Sequence, residues 1–325
     1  MKKTTLLIIY NILAIFIIFF ILEFLTRRFF PQIKPQGSDK NLFIDNVYFD
    51  SHGLKPLSSG YSNGALVKIN QYGFREFNTK VDTSKKSWLI LGDSVTMGIG
   101  VKADSTFTGR LQSQLNSVNI LNPSVVGYAI KDYKNLCNHF ITKQKNKLHI
   151  SRIIIFWCLN DIYLDVPDFQ TPGGSLRYLL GDVLKIIRTR SRFYMLLKTL
   201  LFDRPKSYYM FDEKFYYPDS PELKNTINDI FEINNLCDEQ NVNFSIVLLP
   251  YEYQMRDSNN LIDTPQKLMC ENLTGKGITV LNPMHVLAES QFDSKTIFLF
   301  GDGIHLSNLG HRLIAEFMNS SLKSK

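Results

Sequence analysis

The sequence predicts an α/β protein, a three-layer α/β/α sandwich around a parallel sheet, preceded by one N-terminal transmembrane helix. Three observations carry this expectation. From Trp88 onward, short apolar runs alternate with stretches of helical spacing, the mark of strand–helix–strand units and a parallel sheet. The run Ile153 to Trp157 is apolar at every position, as suits a strand buried on both faces. Thr4 to Leu25 is nearly all apolar, with Asn11 the one strongly polar interruption before Glu23. That stretch is long enough to cross about 30 Å of hydrocarbon as a helix.

Taken in order, residues 1–30 read as an uncleaved anchor. The apolar stretch is longer than a signal-peptide core, and no small-x-small cleavage site follows it. Bulky and basic residues, Phe24 to Phe30, close it at the interface. Lys2 and Lys3 nearly balance Arg27, Arg28 and Lys34, so the positive-inside rule leaves the orientation open. The domain that follows is expected on the extracytoplasmic side, because a lone N-terminal anchor commonly serves export.

Residues 31–85 form a polar connector and lead-in with Pro31, Pro35, Gly37, Pro56, Gly60 and Gly64, in which Asn70 to Arg75 reads as a turn into the domain. The domain itself spans 86–325. Strands are expected at Trp88–Leu91, Val118–Leu121, Ile153–Trp157, Phe244–Leu249 and Ile278–Leu281. Helices are expected over 105–117, 130–144, 225–240 and 307–319; the last has Leu309, Leu313 and Phe317 inward and Ser307 as its cap. An insertion at 162–220 interrupts the alternation. Within it Leu176 to Phe202 is helical in pattern, apolar and basic. A solvated surface helix pair is the plain reading; a lid or a contact with anionic headgroups is the functional one.

Length and composition fit an ordinary globular protein with a sizeable core: 325 residues, 44% hydrophobic, 21% charged. The net charge is +7, of which residues 1–30 supply +3. No basic stripe with interleaved aromatics is present, so nucleic-acid binding has no support. Cys137, Cys158, Cys237 and Cys270 fit neither a metal spacing nor a small disulfide framework and are expected as reduced thiols. His52, His139, His149, His285 and His311 form no metal-ligand spacing; His285 is the best rival to His305 as a base.

Four separated pieces converge on one chemistry. Gly92-Asp93-Ser94 follows the first strand, Gly127 the second and Asn160-Asp161 the third, and Asp302-x-x-His305 stands near the C-terminus. In doubly wound sheets, sites lie beyond the C-terminal strand ends. Ser94 is the candidate nucleophile and His305 its base, because a serine hydroxyl needs a group to take its proton. Asp302, three residues earlier, can reach the far ring nitrogen and fix the tautomer. The backbone N–H groups of Ser94 and Gly127 and the side-chain amide of Asn160 are candidate oxyanion donors. Asp93 is expected to hold the turn. No metal or organic cofactor is expected. Each piece alone has a bland reading as a turn or a cap; the set at strand ends is what points to acyl transfer.

On Ile90-Leu91-Gly92-Asp93-Ser94, Val125-Val126-Gly127-Tyr128, Asn160-Asp161 and Asp302-Gly303-Ile304-His305-Leu306-Ser307, the chain over about residues 86–320 resembles the SGNH (GDSL-type) hydrolases. The resemblance implies Ser94, Gly127, Asn160 and His305 as signature residues and esters as substrates. It also matches Asn70 to Arg75 with a stretch common in membrane-anchored members. The family usually carries Gly two residues before the signature Asn; Cys158 stands there. The expected activity is a membrane-anchored serine esterase acting on O-acyl, in particular O-acetyl, groups of a small molecule or a surface or exported glycan, with membrane lipid as the second partner. An O-acyltransferase using the same residues and a non-catalytic scaffold in envelope assembly are the rival expectations.

Overall fold

The computed structural model describes residues 2–77, 80–163, 181 and 186–323. The chain divides into two compact units, one drawn from residues 1–37 and 170–203, the other from 38–169 and 204–325.

The larger unit contains nine strands among its described residues. β1 (Phe43–Tyr48) and β2 (Ser51–Leu54) form one antiparallel hairpin, and β3 (Ser59–Ser62) and β4 (Ala65–Lys68) a second. The main sheet holds β5 (Lys86–Gly92), β6 (Val118–Leu121), β7 (Ile150–Trp157), β8 (Asn243–Leu248) and β9 (Val280–Leu281). Its order is β6-β5-β7-β8-β9, with every pairing parallel. The apolar runs suit these strands because helices cover both faces of the sheet; β7 also has a strand on each side, and Ile153 to Trp157 is buried throughout.

Right-handed crossovers fix the layers. The chain steps outward from β5 to β6 through the Phe107–Gln114 helix, then back across to β7 through the Ile130–His139 helix. Opposite directions of travel put those two helices on opposite faces. The Pro221–Glu239 helix, running on from β7 to β8, packs with Ile130–His139, and the C-terminal Asn308–Lys323 helix packs with Phe107–Gln114. Helix chemistry is local. Ser220 accepts the Leu223 N–H at 3.2 Å, Pro221 occupies the first turn, and Leu223, Ile227, Ile230, Ile233 and Cys237 form the buried stripe. Ser307 caps the last helix through the Gly310 N–H. The helix expected over 130–144 continues beyond His139 as a π-helical stretch, Phe140–Gln144.

Residues 38–77 belong to the same compact unit as the sheet. The reading of 31–85 as a polar connector missed its two hairpins, whose buried residues include Tyr48, Leu54, Ala65 and Val67. Their strands are short and rich in Ser, Gly and Asn, so the period-2 signal is weak.

In the smaller unit, Lys2–Phe29 is one helix, long and apolar enough to cross a membrane. It packs with the Arg192–Leu201 helix of the same unit. Residues 164–180 and 182–185, part of the insertion read at 162–220 and the first part of the helix expected over 176–202, lie outside the described residues. From Ile186 onward the helical expectation holds, with a break at Ser191.

Candidate active site

The order in which the chain adds strands reverses between β5 and β7, and in sheets of this kind sites lie beyond the carboxyl ends of the strands at that point. β5 ends at Gly92. Asp93 then caps a four-residue helix, Ser94–Met97, by accepting the Val95 N–H at 2.8 Å. Ser94 opens that helix, so its own N–H has no intrahelical acceptor. The turn is fixed from behind by Arg75. Its guanidinium is fully buried and donates to the carbonyls of Met97, Gly98 (2.7 Å) and Val101. Burial lowers Arg75 to about 10, which leaves it charged at neutral pH. The Asn70 side chain folds the preceding turn by accepting the Tyr72 and Phe74 N–H groups.

His305 reaches Ser94 from the loop after the Ser294–Ile297 turn. Leu299 donates to the His305 carbonyl at 2.7 Å, and Phe298 bridges Leu306, closing the loop on itself. Gly303 sits at φ +81°, where a Cβ would also strike Pro205 at 2.4 Å, so the loop accepts only glycine there. His305 Nε2 lies 2.8 Å from Ser94 Oγ, and its Nδ1 lies 2.6 Å from Asp302 Oδ1. An ionised carboxylate only accepts, so Nδ1 carries the proton and Nε2 faces the serine with its lone pair. Asp302 Oδ1 also accepts the His305 N–H at 2.9 Å, and Arg204 approaches Oδ2 at 3.9 Å while donating to the Gly301 carbonyl at 3.0 Å. For Asp302, burial pushes the carboxyl up, but His305 and Arg204 outweigh it and hold it well below the usual range. For His305, burial works to lower the imidazole, and the Asp302 charge more than offsets it, so the net direction is up.

Asn160 follows β7 on a short 3₁₀ turn, Leu159–Ile162. Its Nδ2 lies 3.4 Å from Asp93 Oδ2, which in turn lies 3.1 Å from Ser94 Oγ. On the other side, Tyr251 OH lies 2.9 Å from Asn160 Oδ1 and 2.7 Å from Asp212 Oδ2, and Tyr163 OH donates to Asp212 Oδ1. A tyrosine hydroxyl has one proton. When it goes to Asn160, a proton on Asp212 completes the second bond. Burial lifts Asp212 to about 6 against the pull of both tyrosines. The Tyr251 bond to Oδ1 is what turns the Asn160 amide N–H₂ towards Asp93 and Ser94. Gly127 lies in the exposed loop after β6 at φ +84°, with open space where a Cβ would stand. A side chain there would meet solvent rather than protein, so backbone conformation is what favours glycine.

Ser94, His305, Asp302 and Asn160 are thus joined by a continuous set of close contacts. Gly127 stands on the neighbouring strand end, with no bond to that set. Asp93 does hold the turn, as expected, and adds contacts to Ser94 and Asn160. His285, the rival base, is exposed on the Met284–Ala288 turn. His311 accepts the Phe107 N–H at 3.2 Å in the core, and burial depresses it to about 3. All four cysteines are free thiols, and burial, then Asp93 and Asp161, push the Cys158 thiol well above its usual value. A thiol so disposed stays protonated and is no nucleophile.

Three neighbours escaped the sequence reading. Tyr251 follows β8 directly after Pro250, so the strand-end logic that found Asn160 also reaches it. Arg204 and Asp212 lie on one helix, Arg204–Asp212, inside the apparent insertion, and carry no local signal.

No family model matches the chain, and no curated protein matches it. Among solved structures, it is similar to a member of the lipolytic protein G-D-S-L family from Veillonella parvula DSM 2008 (13% identity, 73% of this chain and 98% of that one, TM-score 0.42). It is also similar to a psychrotrophic esterase from Pseudoalteromonas sp. (12%, 74% and 98%, TM-score 0.43) and to an acetyl xylan esterase (12%, 73% and 99%, TM-score 0.45). At these scores and identities no functional step rests on the likeness.

Proposed function

We propose that this chain is a membrane-anchored serine esterase that hydrolyses O-acyl esters, O-acetyl groups on surface or exported polysaccharide in particular, through an acyl-Ser94 intermediate. One observation supports it above the rest: Ser94 Oγ, His305 Nε2, His305 Nδ1 and Asp302 Oδ1 form a line with spacings of 2.8 and 2.6 Å. The residues that met in sequence only as separate motifs are in reach of one another in the order the chemistry needs.

In this reading His305 Nε2 takes the Ser94 proton as Oγ attacks the ester carbonyl, and Asp302 stabilises the imidazolium that forms. The oxyanion is received by the N–H groups of Ser94 and Gly127 and by Asn160 Nδ2. Collapse breaks the ester C–O bond, and the alcohol leaves with the proton returned from His305. Water then repeats the sequence on the acyl-enzyme, giving the carboxylic acid and free serine. The N-terminal helix is the anchor, and the catalytic unit faces the extracytoplasmic side.

The test uses the full chain in detergent or vesicles with a short-chain chromogenic acetyl ester, then an O-acetylated polysaccharide. Activity that both Ser94→Ala and His305→Ala reduce by about 10³-fold or more supports the reading. Equal background rates in all three proteins overturn it.

A further inference from the structure

We propose that residues 186–202, centred on the Arg192–Leu201 helix, form a second membrane contact that lies along an anionic lipid surface beside the N-terminal helix; this rests on the anchor reading above. The N-terminal helix is exposed along nearly its whole length, except for Phe19, Leu22, Glu23 and Thr26. Those positions, spaced three and four apart, make one stripe. Within this unit, the stripe meets the start of the second helix. Phe19 and Phe193 pack edge to face at 5.9 Å. Glu23 accepts from Ser191 Oγ at 2.8 Å and from the N–H groups of Arg192 and Phe193 at 3.1 and 2.9 Å. Arg27 closes the latch, bonding Glu23 at 2.6 Å and the Arg190 carbonyl at 2.6 Å.

The latch fixes depth. Glu23 is the sole acidic residue of the first thirty. It lies six residues from the end of its helix at Phe29, about 9 Å along the axis. A carboxylate at that level is costly unless bonded, and so are bare helix N–H groups. Each answers the other here. Because Phe193 touches Phe19, a turn deeper than Glu23, the second helix begins at the boundary between headgroups and acyl chains.

Its composition suits that place. Leu197, Leu200 and Leu201 lie on one face and are exposed, Leu200 to 70%, and Ile186 and Phe202 extend the apolar surface. Ser191 and Met195, on another face, are buried. Arg188, Arg190, Arg192 and Lys198 lie among them, with no acidic residue from 186 to 202. An apolar face bordered by cations is the pattern of a helix lying in the interface of an anionic bilayer. The continuity with a lipid-facing helix selects lipid over a second protein copy as the occupant.

The test places the full chain in phosphatidylethanolamine–phosphatidylglycerol vesicles containing a nitroxide-labelled lipid. Single reporter cysteines at Leu200→Cys, Leu6→Cys or Leu57→Cys, in a Cys270→Ser background, carry an environment-sensitive fluorophore. Position 6 reports the N-terminal helix, and position 57, 80% exposed in the catalytic unit, is the aqueous control. The expected result is strong lipid quenching at 6 and 200 and weak quenching at 57. Adding Glu23→Ala is expected to lower quenching at 200 and leave it unchanged at 6. Quenching at 6 with none at 200 overturns this inference and leaves the anchor standing. No quenching at 6 overturns the anchor, and the inference with it.

Discussion

Two buried carboxyls stand behind the site, and their surroundings shift them in opposite directions. Asp302 supports the base. It has the imidazole, a nearby guanidinium and two backbone N–H groups as partners, and its carboxyl is held well below the usual range. Asp212 supports the tyrosine that orients the Asn160 amide. Its hydrogen-bond partners are the hydroxyls of Tyr163 and Tyr251, and burial lifts it to about 6. Burial alone disfavours charge at both. What separates them is the sign of their company. One position calls for a fixed negative charge to steady an imidazolium, the other for a group that can share a proton with a hydroxyl.

The sharpest way to break this contrast is Asp302→Asn, which keeps the shape and removes the charge. It also offers His305 the wrong hydrogen-bonding pattern, so kcat is expected to fall by about 10³–10⁴-fold. Steady-state kinetics on the acetyl ester would read it, and a loss under tenfold would remove Asp302 from its role. Next is Asn160→Ala, expected to cost about 10²–10³-fold in kcat with little change in KM, the mark of an interaction made in the transition state. Tyr251→Phe removes only the bond that turns the amide. About tenfold in kcat is expected, near the worth of one buried hydrogen bond; an unchanged kcat would show that Asn160 needs no such support.

The smaller effects are in pH. His305 is raised, so its neutral, base-competent form appears only above the ordinary histidine value of 6.5. The acid limb of kcat/KM is expected above pH 6.5, and a midpoint below it would contradict the Asp302 contact. The same shift makes protonated His305 stabilising: that contribution is present in full below pH 6.5 and is lost as pH rises through the folded value. Asp212 follows the same sign, with its contribution lost between about pH 4 and 6, where the unfolded chain has released the proton and the folded chain retains it. Asp212→Asn should flatten stability across that window by about 2–3 kcal/mol, measured by urea unfolding at pH 4 and pH 8.

The contrast also marks where sequence reading reaches and where it stops. Ser94, Asn160 and the Asp302–His305 pair were legible because each follows a recognisable strand or lies within a short motif, and a parallel sheet collects such ends on one edge. The five parallel strands were legible because each is a short, mostly apolar run, continuous at Trp88–Leu91 and Ile153–Trp157 and broken by one polar residue in the other three. Arg204 and Asp212 were not, since nothing local distinguishes a buried Arg or Asp from a surface one. Their environment is built by residues up to about a hundred positions away, such as Gly301 and Tyr251. The hairpins of residues 43–68 were missed because four- to six-residue strands rich in polar residues look like loop.

The Arg75 guanidinium sets a boundary for anyone dividing this protein. It comes from before the strand that carries the nucleophile, yet it is the donor on which the carbonyls of residues 97, 98 and 101 rely. A truncated chain beginning at residue 86 would retain Ser94, Asn160 and His305 and still strip the carbonyls of residues 97 and 101 of that donor, at about 1–3 kcal/mol each, while Gly98 would keep the Val101 N–H. The segment that looks in sequence like a tether therefore carries the inner brace of the reactive turn, and a catalytic piece that keeps this brace begins upstream of Arg75.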